Sequence, residues 1–584
     1  MLPHAQVLVL TTWTALGFGL VGLGALVRRA WRADACGADD LLQSFWLGWA
    51  ALVLWLQVWH LARPIDDTAR AVCAVAGGLG LVLAGPRPWI RVGRGAGRDL
   101  PAVTALVVLA VWLSNHALGG ARYGDVGAYF VPTVRWLVEQ RIVPGLANLH
   151  AHYALNQSSF GYVALLEAGP FAHRSYHLAN GLLVLALGIR VVLALSRLGR
   201  LRRAATPVDV FYALLAPGVF AFAVSIWLTS PSPDVGVFAL GAVASGEAIA
   251  LLTDRPDQRR FHLRAIALFA VAGVTVKLSF AGFAAAIVPV AFGLWLRHER
   301  PSRRAVAREL AALMGLGIAA IGPWLARNVV MSGLPLFPSA IVALPVEWRV
   351  GTNVEGWLRN TVYVGGWRAI VGSPRWFLGI LRNQGWNAPE VLGPITIGLV
   401  ATLTTVLHRM WRRALGTGAP DARRASLPLA MILPALASLA FCVVMSPVPR
   451  YAGATVWVLA AIAILLAAGP AIERARSVVR PLLLLAIVAV TAATLHAGMD
   501  PLWLPLRDFE MVGPSRWKAR RLKTGSIVNV PIGVEACGDA ALPCTPYPNP
   551  ALRWRREGDL AAGFMLDPAL HARYRYDPGR SVLR

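Results

Sequence analysis

The chain has 584 residues, of which 57% are hydrophobic and only 15% charged, so a set of soluble domains is excluded and a multi-pass membrane protein is indicated. The formal net charge of +26 arises mostly from arginines that cluster between apolar runs, a pattern typical of cytoplasmic loops. We therefore expect the lipid bilayer as a partner and no nucleic acid.

Apolar segments long enough to cross a bilayer recur about fourteen times along the chain. They lie near residues 5–27, 41–62, 69–85, 100–118, 175–198, 208–229, 235–253, 262–276, 279–297, 309–330, 390–408, 426–446, 451–472 and 480–498. The first has no basic stretch before it and no cleavage pattern after it, so we expect it to be retained. The predicted fold class is an all-α polytopic membrane protein with about fourteen transmembrane helices.

Clusters of arginine follow every second apolar segment and predict which loops are cytoplasmic. The clusters are Arg28, Arg29 and Arg32; Arg87, Arg91 and Arg94; Arg197, Arg200, Arg202 and Arg203; Arg255, Arg259 and Arg260; Arg297, Arg300, Arg303 and Arg304; Arg409, Arg412 and Arg413; Arg474, Arg476 and Arg480. The chain then begins outside, and the loops of the opposite set share one extracytoplasmic face. These loops are 119–174, 229–234, 331–389 and 447–450, together with the tail.

This alternation divides the chain into four regions. They are N-terminal transmembrane helices over 1–118, a first large outer loop over 119–174, a transmembrane core over 175–498 and an extracytoplasmic tail over 499–584. The abundance of Ala, Gly and Arg, with lysine only at Lys277, Lys518 and Lys523, is typical of a bacterial high-GC coding bias. We therefore expect the inner (plasma) membrane of a bacterium, with the active face outside.

The outer loop 119–174 carries the residues that we single out as a candidate site. Asp125 lies in the turn RYGDVGAYF, where a carboxylate is able to take a proton from an acceptor hydroxyl. The surrounding residues suited to binding a substrate by hydrogen bonds or stacking are Arg122, Tyr123, Tyr129, His150, Tyr153 and Asn156. A well-ordered connection that caps its neighbouring helices would explain the same residues.

Three cations at the outer ends of apolar segments are candidates for binding an anionic lipid head group. They are Lys277 in TVKLSF, Arg327 in GPWLARN and Arg450 in SPVPRYAG. An acidic residue, Asp234, begins another segment at the same face, where capping of the helix dipole is the simpler role.

The tail is polar and proline-rich, and we expect a small mixed extracytoplasmic domain there. The run IVNVPIGV predicts a strand, and TPYPNP predicts a turn. Cys537 and Cys544 form the only close cysteine pair. Their spacing suits a disulfide in an oxidising compartment, and no metal-ligand pattern surrounds them.

These features together resemble the GT-C superfamily of integral-membrane glycosyltransferases, which use polyprenyl-phosphate-linked sugars. The resemblance rests on the early-loop Asp125, on the stretch PWLARNVVMSGLPLFP, and on the pair Arg450 and Tyr451 before a late helix. The run VRWLVEQRIVPGLANLHAHYALNQSSF is similar to that of a group of large bacterial multi-pass members, in which Tyr-Asp-x-x-x-Tyr-His precedes it. Here Gly124 separates Tyr from Asp, and Phe130 stands where that His would fall, which puts any role of that His in doubt.

The resemblance implies a GT-C-like fold and transfer of a sugar from a polyprenyl-phosphate donor to a glycan, lipid or protein acceptor, with inversion and with Asp125 as base. It also implies that Arg327 and Arg450 lie near the donor phosphate. Many members bind a divalent metal through two acidic residues. The clean pair is missing here, so no metal or other cofactor is assigned and a divalent metal stays an open alternative.

Two other functions fit the same composition. A transporter or flippase of lipid-linked glycans also needs many spans, although it favours charged or broken helices at mid-bilayer. A polymerase or ligase of surface polysaccharide without the GT-C fold would share the substrate chemistry. The transferase hypothesis predicts that Asp125, Arg327 and Arg450 converge across one cavity, within about 10 to 15 Å of one another.

Overall fold

The computed structural model describes residues 2–35, 37–97, 99–200, 205–354, 356, 358, 373–414, 427–474, 476–498, 501–511 and 516–573. Over these ranges the chain is predominantly helical, and its strands lie in the tail. The α-helices are α1 (His4–Ala30), α2 (Ala38–Ala62), α3 (Asp67–Ala84), α4 (Arg87–Ala96), α5 (Leu100–His116), α6 (Val131–Glu139), α7 (Leu146–Leu149), α8 (Ser159–Leu165), α9 (Tyr176–Gly199), α10 (Pro207–Leu214), α11 (Ala216–Ala223), α12 (Asp234–Thr253), α13 (Arg259–Val276), α14 (Ala281–Glu299), α15 (Arg303–Ser332), α16 (Pro374–Asn383), α17 (Pro389–Ala414), α18 (Leu433–Met445), α19 (Thr455–Arg474), α20 (Arg476–Ala497) and α21 (Pro568–Arg573).

Nine of the helices in the described ranges are long and apolar enough to cross a membrane, and α4 with α5 would make a tenth if this pair, bent by 102°, is one span. The nine are α1, α2, α3, α9, α12, Leu278–Glu299, α15, Pro389–Trp411 and Ser477–Ala497. The chain is therefore a helical membrane protein. The other predicted segments coincide with the shorter helices Pro207–Ala223, Leu429–Met445 and Thr455–Gly469 and with α13, which begins with charged residues. The number fourteen thus stays a prediction.

Glycines allow the first three helices to pack closely. A Cβ added to Gly22 in α1 would lie 1.9 Å from the carbonyl oxygen of Gly77 in α3, and one added to Gly24 would lie 1.7 Å from that of Ser44 in α2. Backbones approach this closely only where a helix face lacks side chains, as is common between membrane helices.

Ion pairs join the helices at the end of the bundle where the arginine clusters lie, which we call the arginine-rich end. They include Arg190–Asp209 (3.1 Å), Arg197–Asp39 (2.7 Å), Arg259–Glu299 (2.7 Å) and Arg264–Glu309 (2.5 Å). These contacts connect α2, α9, α10, α13, α14 and α15 at one level. The opposite, arginine-poor end carries the segment 119–174 and the tail.

The segment 119–174 is an ordered layer of short helices. It contains a π-helix, Val126–Phe130, which continues into α6, followed by α7 and α8. The tail packs on this layer with two antiparallel hairpins and a disulfide between Cys537 and Cys544. The strands are β1 (Trp517–Arg521), β2 (Ile527–Pro531), β3 (Leu552–Trp554) and β4 (Phe564–Leu566). β2 falls within the predicted strand IVNVPIGV, and the independence of the tail as a domain stays a prediction.

Part of the predicted outer loop 331–389 lies outside the described residues. Before that part, α15 ends at Ser332, and Gly333 takes a left-handed backbone conformation with φ of 77°. After it, α16 precedes the long apolar helix α17. Of the described part of this loop, Met331 lines a cavity described below, and Trp386 Nε1 donates to the carbonyl of Pro447 at 2.7 Å.

Candidate functional site

Asp125 lies between the end of α5 and the π-helix Val126–Phe130, in a segment that the tail holds on both sides. The backbone N–H of Gly120 donates to Glu510 Oε2 at 2.8 Å, and the N–H of Gly538 donates to the carbonyl of Gly127 at 2.8 Å. The Asp125 side chain keeps 31% of its surface exposed. Single π-turns inside helices are frequent at functional sites, and this one aims the carboxylate at the turn between α18 and α19.

Arg450 occupies that turn and faces Asp125. Its Nη1 lies 3.6 Å from Asp125 Oδ2 and also donates to the hydroxyl of Tyr123, while its Nη2 lies 3.3 Å from the hydroxyl of Tyr451. The guanidinium carbon is 5.2 Å from the ring of Tyr123, 5.1 Å from that of Tyr451 and 5.9 Å from that of Trp227. Three aromatic rings thus surround a cation beside a carboxylate, as in a cation–π cage.

The electrostatics of this group favour protonated phenols and a charged guanidinium. Burial, reinforced by the charge of Asp125 and opposed by Arg450, raises the pKa of Tyr123. Burial and Asp125 likewise raise the pKa of Tyr129 well above its usual value. Burial alone would lower the pKa of Arg450, but Tyr451 and the neighbouring carboxylate Asp234 outweigh it and raise that pKa. The phenols are therefore hydrogen-bond donors at neutral pH.

A second ion pair adjoins the first through Tyr451. Lys277, just after α13, pairs its Nζ with Asp234 Oδ1, and this Nζ lies 4.4 Å from the centroid of the Tyr451 ring. Asp234 also accepts a hydrogen bond of 2.6 Å from Ser232 Oγ. Asp234, the first residue of α12, was expected to cap the dipole of that helix. In the structure its side chain pairs with Lys277. We call Tyr123, Asp125, Asp234, Lys277, Arg450 and Tyr451 the ion-pair cluster.

A buried asparagine fixes the loop that brings Trp227 and Asp234 to this cluster. Asn180 Nδ2 in α9 donates to the carbonyls of Trp227 (3.0 Å), Ser230 (2.6 Å) and Ser232 (3.0 Å). The loop is thus anchored to a neighbouring helix, so the pair between Asp234 and Lys277 sits on a rigid support.

Arg327 lies in a neighbouring cavity and not in the ion-pair cluster. It is 5% exposed, its Nη1 donates to His60 Nδ1 at 2.7 Å, and its Nε donates to Asn156 Oδ1 at 2.9 Å. We call the space beside these residues the Arg327 cavity; Tyr153 and Phe160 also line it. The side chain takes this position because the outer half of α15 faces the end of α2.

Aromatic contacts connect the Arg327 cavity to the ion-pair cluster. The Phe160 ring lies 5.4 Å from that of Phe130, which lies 6.4 Å from that of Tyr123. The structure therefore brings Asp125 and Arg450 together, whereas Arg327 and Asn156 line a different cavity, which the rings of Phe130 and Phe160 link to the cluster.

His150 and Tyr153 lie beneath the tail. The Tyr153 hydroxyl donates to the Cys544 carbonyl at 3.2 Å, and the His150 ring lies 5.7 Å from that of Tyr547. Burial lowers the pKa of His150 well below its usual range, and it lowers that of His152 to about 4. Both imidazoles are therefore neutral, and these residues support the contact between loop and tail.

Arg122 lies outside the ion-pair cluster. It is exposed and lines a separate small cavity with Ser225, Thr229 and the backbone at Gly119 and Gly120. Of the predicted binding residues, Tyr123, Lys277 and Arg450 belong to the cluster itself, and Tyr129 lies close enough to Asp125 to feel its charge.

Several residues of these sites were not singled out from the sequence as binding residues. Tyr451 directly follows Arg450 in the sequence, and this position beside a candidate binding residue could have identified it as part of the site. Trp227 and His60 stand in or beside apolar runs, where nothing distinguishes them from packing residues. Within the described ranges, no group of three or more His, Cys, Asp or Glu is placed to hold a metal ion.

Comparison with known proteins gives one family. The sequence profile of a family described as a domain of unknown function (DUF8201) matches residues 7–457. This range contains the ion-pair cluster and the Arg327 cavity, and it ends before the tail. No curated protein and no solved structure matches the chain.

Proposed function

Since the chain belongs to the DUF8201 family, whose description names no reaction, we propose from the site itself that it is an integral-membrane glycosyltransferase. It moves a sugar from a polyprenyl-phosphate donor to a glycan, lipid or protein acceptor at the extracytoplasmic face of a bacterial inner membrane. The observation that carries this proposal is the carboxylate of Asp125 3.6 Å from Arg450. A second cation, Lys277, lies 4.4 Å from the ring of Tyr451, which also contacts Arg450.

The carboxylate is suited to activate the acceptor, and the two cations are suited to stabilise the leaving phosphate. Asp125 takes the proton of the acceptor hydroxyl while the oxygen of that hydroxyl attacks the anomeric carbon. The bond between that carbon and the phosphate oxygen breaks, and the polyprenyl phosphate leaves with the bonding electron pair. Arg450 and Lys277 stabilise the charge on the departing phosphate, so no strong general acid is needed.

The existing ion pairs explain how binding of the donor would prepare the base. A phosphate that enters beside Arg450 competes with Asp125 for the guanidinium, which forms strong bidentate contacts with phosphate oxygens. The carboxylate is then released toward the acceptor. One displacement by one carboxylate inverts the configuration at the anomeric carbon, whereas retention would require a second carboxylate as nucleophile.

The position of the cluster supports a lipid-borne donor. Four of its six residues lie near the ends of α12, α13, α18 and α19, and Tyr123 and Asp125 lie in the segment after α5. All are at the arginine-poor end, which the positive-inside rule assigns to the outer face. A polyprenyl chain would remain in the bilayer while its phosphate reaches these helix ends, where cations are less screened than in bulk water.

The test is release of polyprenyl phosphate by the purified protein in lipid, from a panel of polyprenyl-phosphate sugars. We expect Asp125→Asn to lower the rate by about 10²- to 10⁴-fold without loss of donor binding. The matched control is Asp67→Asn, at a side chain that is 99% exposed; we expect it to leave the rate within about twofold.

Other outcomes would replace the proposal. Lipid-linked sugar that crosses vesicle bilayers without any turnover would identify a transporter or flippase. Transfer that is unchanged in Asp125→Asn would identify a polymerase or ligase that uses other residues.

A further inference from the structure

The first hairpin of the tail carries a dense group of exposed cations, on β1 and directly beside it. They are Arg516, Lys518, Arg520, Arg521 and Lys523. The chain has no Asp or Glu between Glu510 and Glu535. Long translocated segments follow the positive-inside rule only weakly, so membrane orientation does not account for this charge. We call residues 516–523 the basic strand.

The carboxylates of the protein leave most of this charge unpaired. Within the described ranges, the four cations other than Lys523 form no ion pair, whereas Arg556 in the second hairpin pairs with Asp559 at 3.3 Å. Lys518 and Arg520 are two positions apart in a strand, so they share one face at a distance of about 7 Å and repel each other. A bound anion would relieve this repulsion.

The basic strand is also an open edge of its sheet. The Ile532 N–H donates to the Arg516 carbonyl at 2.8 Å, so the even-numbered residues of β1 are those that bond to β2. The odd-numbered residues, Trp517, Ala519 and Arg521, therefore direct their N–H and C=O groups away from β2. Every residue of β1 is exposed, so no other described segment covers this edge.

The rest of the tail holds the hairpin in place. The Asn529 N–H in β2 donates to the Pro543 carbonyl at 2.8 Å, and the Asn529 carbonyl accepts from the Thr545 N–H at 3.0 Å, beside the disulfide. At the turn, the Thr524 hydroxyl donates to the Leu552 carbonyl of β3 at 2.5 Å. The cations therefore project from a backbone that is already ordered, which lowers the entropy cost of binding.

The placement of the cations distinguishes between possible ligands. Lys518 and Arg520 project from one face of the strand, and Trp517 and Arg521 project from the other. A flat lipid surface would contact one face, whereas a chain that lies along the edge contacts both. Charged side chains at an edge oppose the addition of a peptide strand. Trp517 is 43% exposed and presents an apolar ring on which a sugar is able to pack.

We propose that the basic strand binds an anionic glycan, a polysaccharide chain that carries carboxylate or phosphate groups. Lys518, Arg520 and Arg521 pair with these groups, and Trp517 packs against a sugar ring. This binding involves residues outside the ion-pair cluster, so it does not depend on the proposed transfer reaction. Only the choice of a glycan over a nucleic acid rests on the outer-face position that the proposed function gives to the tail.

The experiment measures binding of polygalacturonate, a linear uronate polymer, to the full-length protein in an uncharged detergent, by biolayer interferometry. We expect the triple variant Lys518→Gln, Arg520→Gln, Arg521→Gln to weaken binding at least about tenfold. The affinity of the wild type should fall as the salt concentration rises. We expect Trp517→Ala to weaken binding of polygalacturonate but not of polyglutamate, which has no sugar ring.

The matched control removes the same charge from exposed arginines elsewhere in the tail. It is Arg507→Gln, Arg556→Gln, Arg573→Gln, and we expect it to retain the wild-type affinity. The substituted side chains are exposed in both variants, so both should fold.

Three results would overturn the proposal. Equal affinities of the triple variant and the control would show that net charge, and not the basic strand, binds the polymer. Neutral dextran that binds as tightly as polygalacturonate would exclude recognition of an anion. Polyglutamate or oligothymidylate that binds more tightly, with the same dependence on Lys518, Arg520 and Arg521, would identify a polypeptide or a nucleic acid as the ligand. Absence of any sugar transfer, with binding by the basic strand intact, would overturn the proposed function and leave this surface standing.

Discussion

At the scale of single residues, His150 and His152 are two neutral imidazoles buried between the layer 119–174 and the tail. Their ring centroids are 5.1 Å apart, and the His150 ring contacts Tyr153 and, in the tail, Tyr547. Burial keeps both rings neutral in the folded protein. A proton on either ring would place a charge among aromatic side chains, which opposes the packed state.

Acidification should therefore loosen the tail from the layer 119–174. The pKa of His152 is about 4 in the folded protein and about 6.5 when unfolded. As the pH falls below about 6.5, the unfolded state takes up a proton first, so stability that is fully present above this pH is lost toward pH 4. At pH 5 the loss from this residue is on the order of 2 kcal/mol.

Limited proteolysis of the tail at pH 7, 6 and 5 measures this effect. We expect cleavage to accelerate as the pH falls, and His152→Gln to flatten the profile. His4→Gln, at an exposed histidine, should retain the wild-type profile. Identical profiles for wild type and His152→Gln would show that another group is responsible.

Part of the candidate site could be predicted from residue types and their positions in the sequence. Asp125, Tyr123, Lys277 and Arg450 were predicted because charged or phenolic groups at the ends of apolar runs are unusual. That Arg450 contacts Asp125 while Arg327 contacts His60 was not predictable. The rotation of an apolar helix depends on its neighbours in the bundle, and α15 is apolar on most of its circumference.

At the scale of elements, the segment between α5 and α6 depends on the tail for its position. The disulfide loop from Cys537 to Cys544 contacts it through Gly538, whose N–H donates to Gly127. Arg135 in α6 donates to the carbonyls of Asp539 (2.6 Å) and Ala540 (2.8 Å) of the same loop. The loop is therefore a support for the π-helix that follows Asp125.

Opening the disulfide should make this π-helix mobile. In a Cys537→Ser, Cys544→Ser variant we expect amide hydrogen exchange over residues 124–130 to accelerate at least about tenfold. Without the disulfide, ordering of the loop costs more conformational entropy, so its contacts with this segment open more often. The measurement is exchange mass spectrometry on the intact protein. Exchange in α12 should not change, and an unchanged rate over 124–130 would contradict the supporting role.

Elements were predictable where their signal is local. Every apolar segment proposed from the sequence overlaps at least one helix of the described residues, and IVNVPIGV contains β2, because hydrophobic runs and β-branched residues act over short distances. The π-helix and the particular contacts that the tail makes had no such signal. They rest on hydrogen bonds such as that between Gly120 and Glu510, which are 390 positions apart.

At the scale of the whole molecule, charge separates the two ends of the bundle. Arginines near the ends of α1, α9, α14 and α17 lie at one end, and the ion-pair cluster lies at the other. Moving arginine clusters across a bilayer is unfavourable, so short loops that carry them stay in the cytoplasm.

Cysteine labelling tests this orientation. In a background without other free cysteines, we expect Lys518→Cys in β1 to react with a membrane-impermeant maleimide in intact cells. Asp257→Cys, in the loop between α12 and α13, should react only after permeabilisation. Both positions are exposed in the folded chain, so accessibility does not separate them. The reverse pattern would invert the topology and place the ion-pair cluster in the cytoplasm.

The hydrogen bond from Gly120 to Glu510 also has a consequence for biosynthesis. The ribosome completes the helix before Asp125 long before it reaches Glu510 and Gly538, which follow the last apolar helix. The carboxylate therefore has its final support only after every apolar helix and the tail have been synthesised. If the transfer proposed above takes place at Asp125, a nascent or truncated chain that lacks the tail would not carry it out.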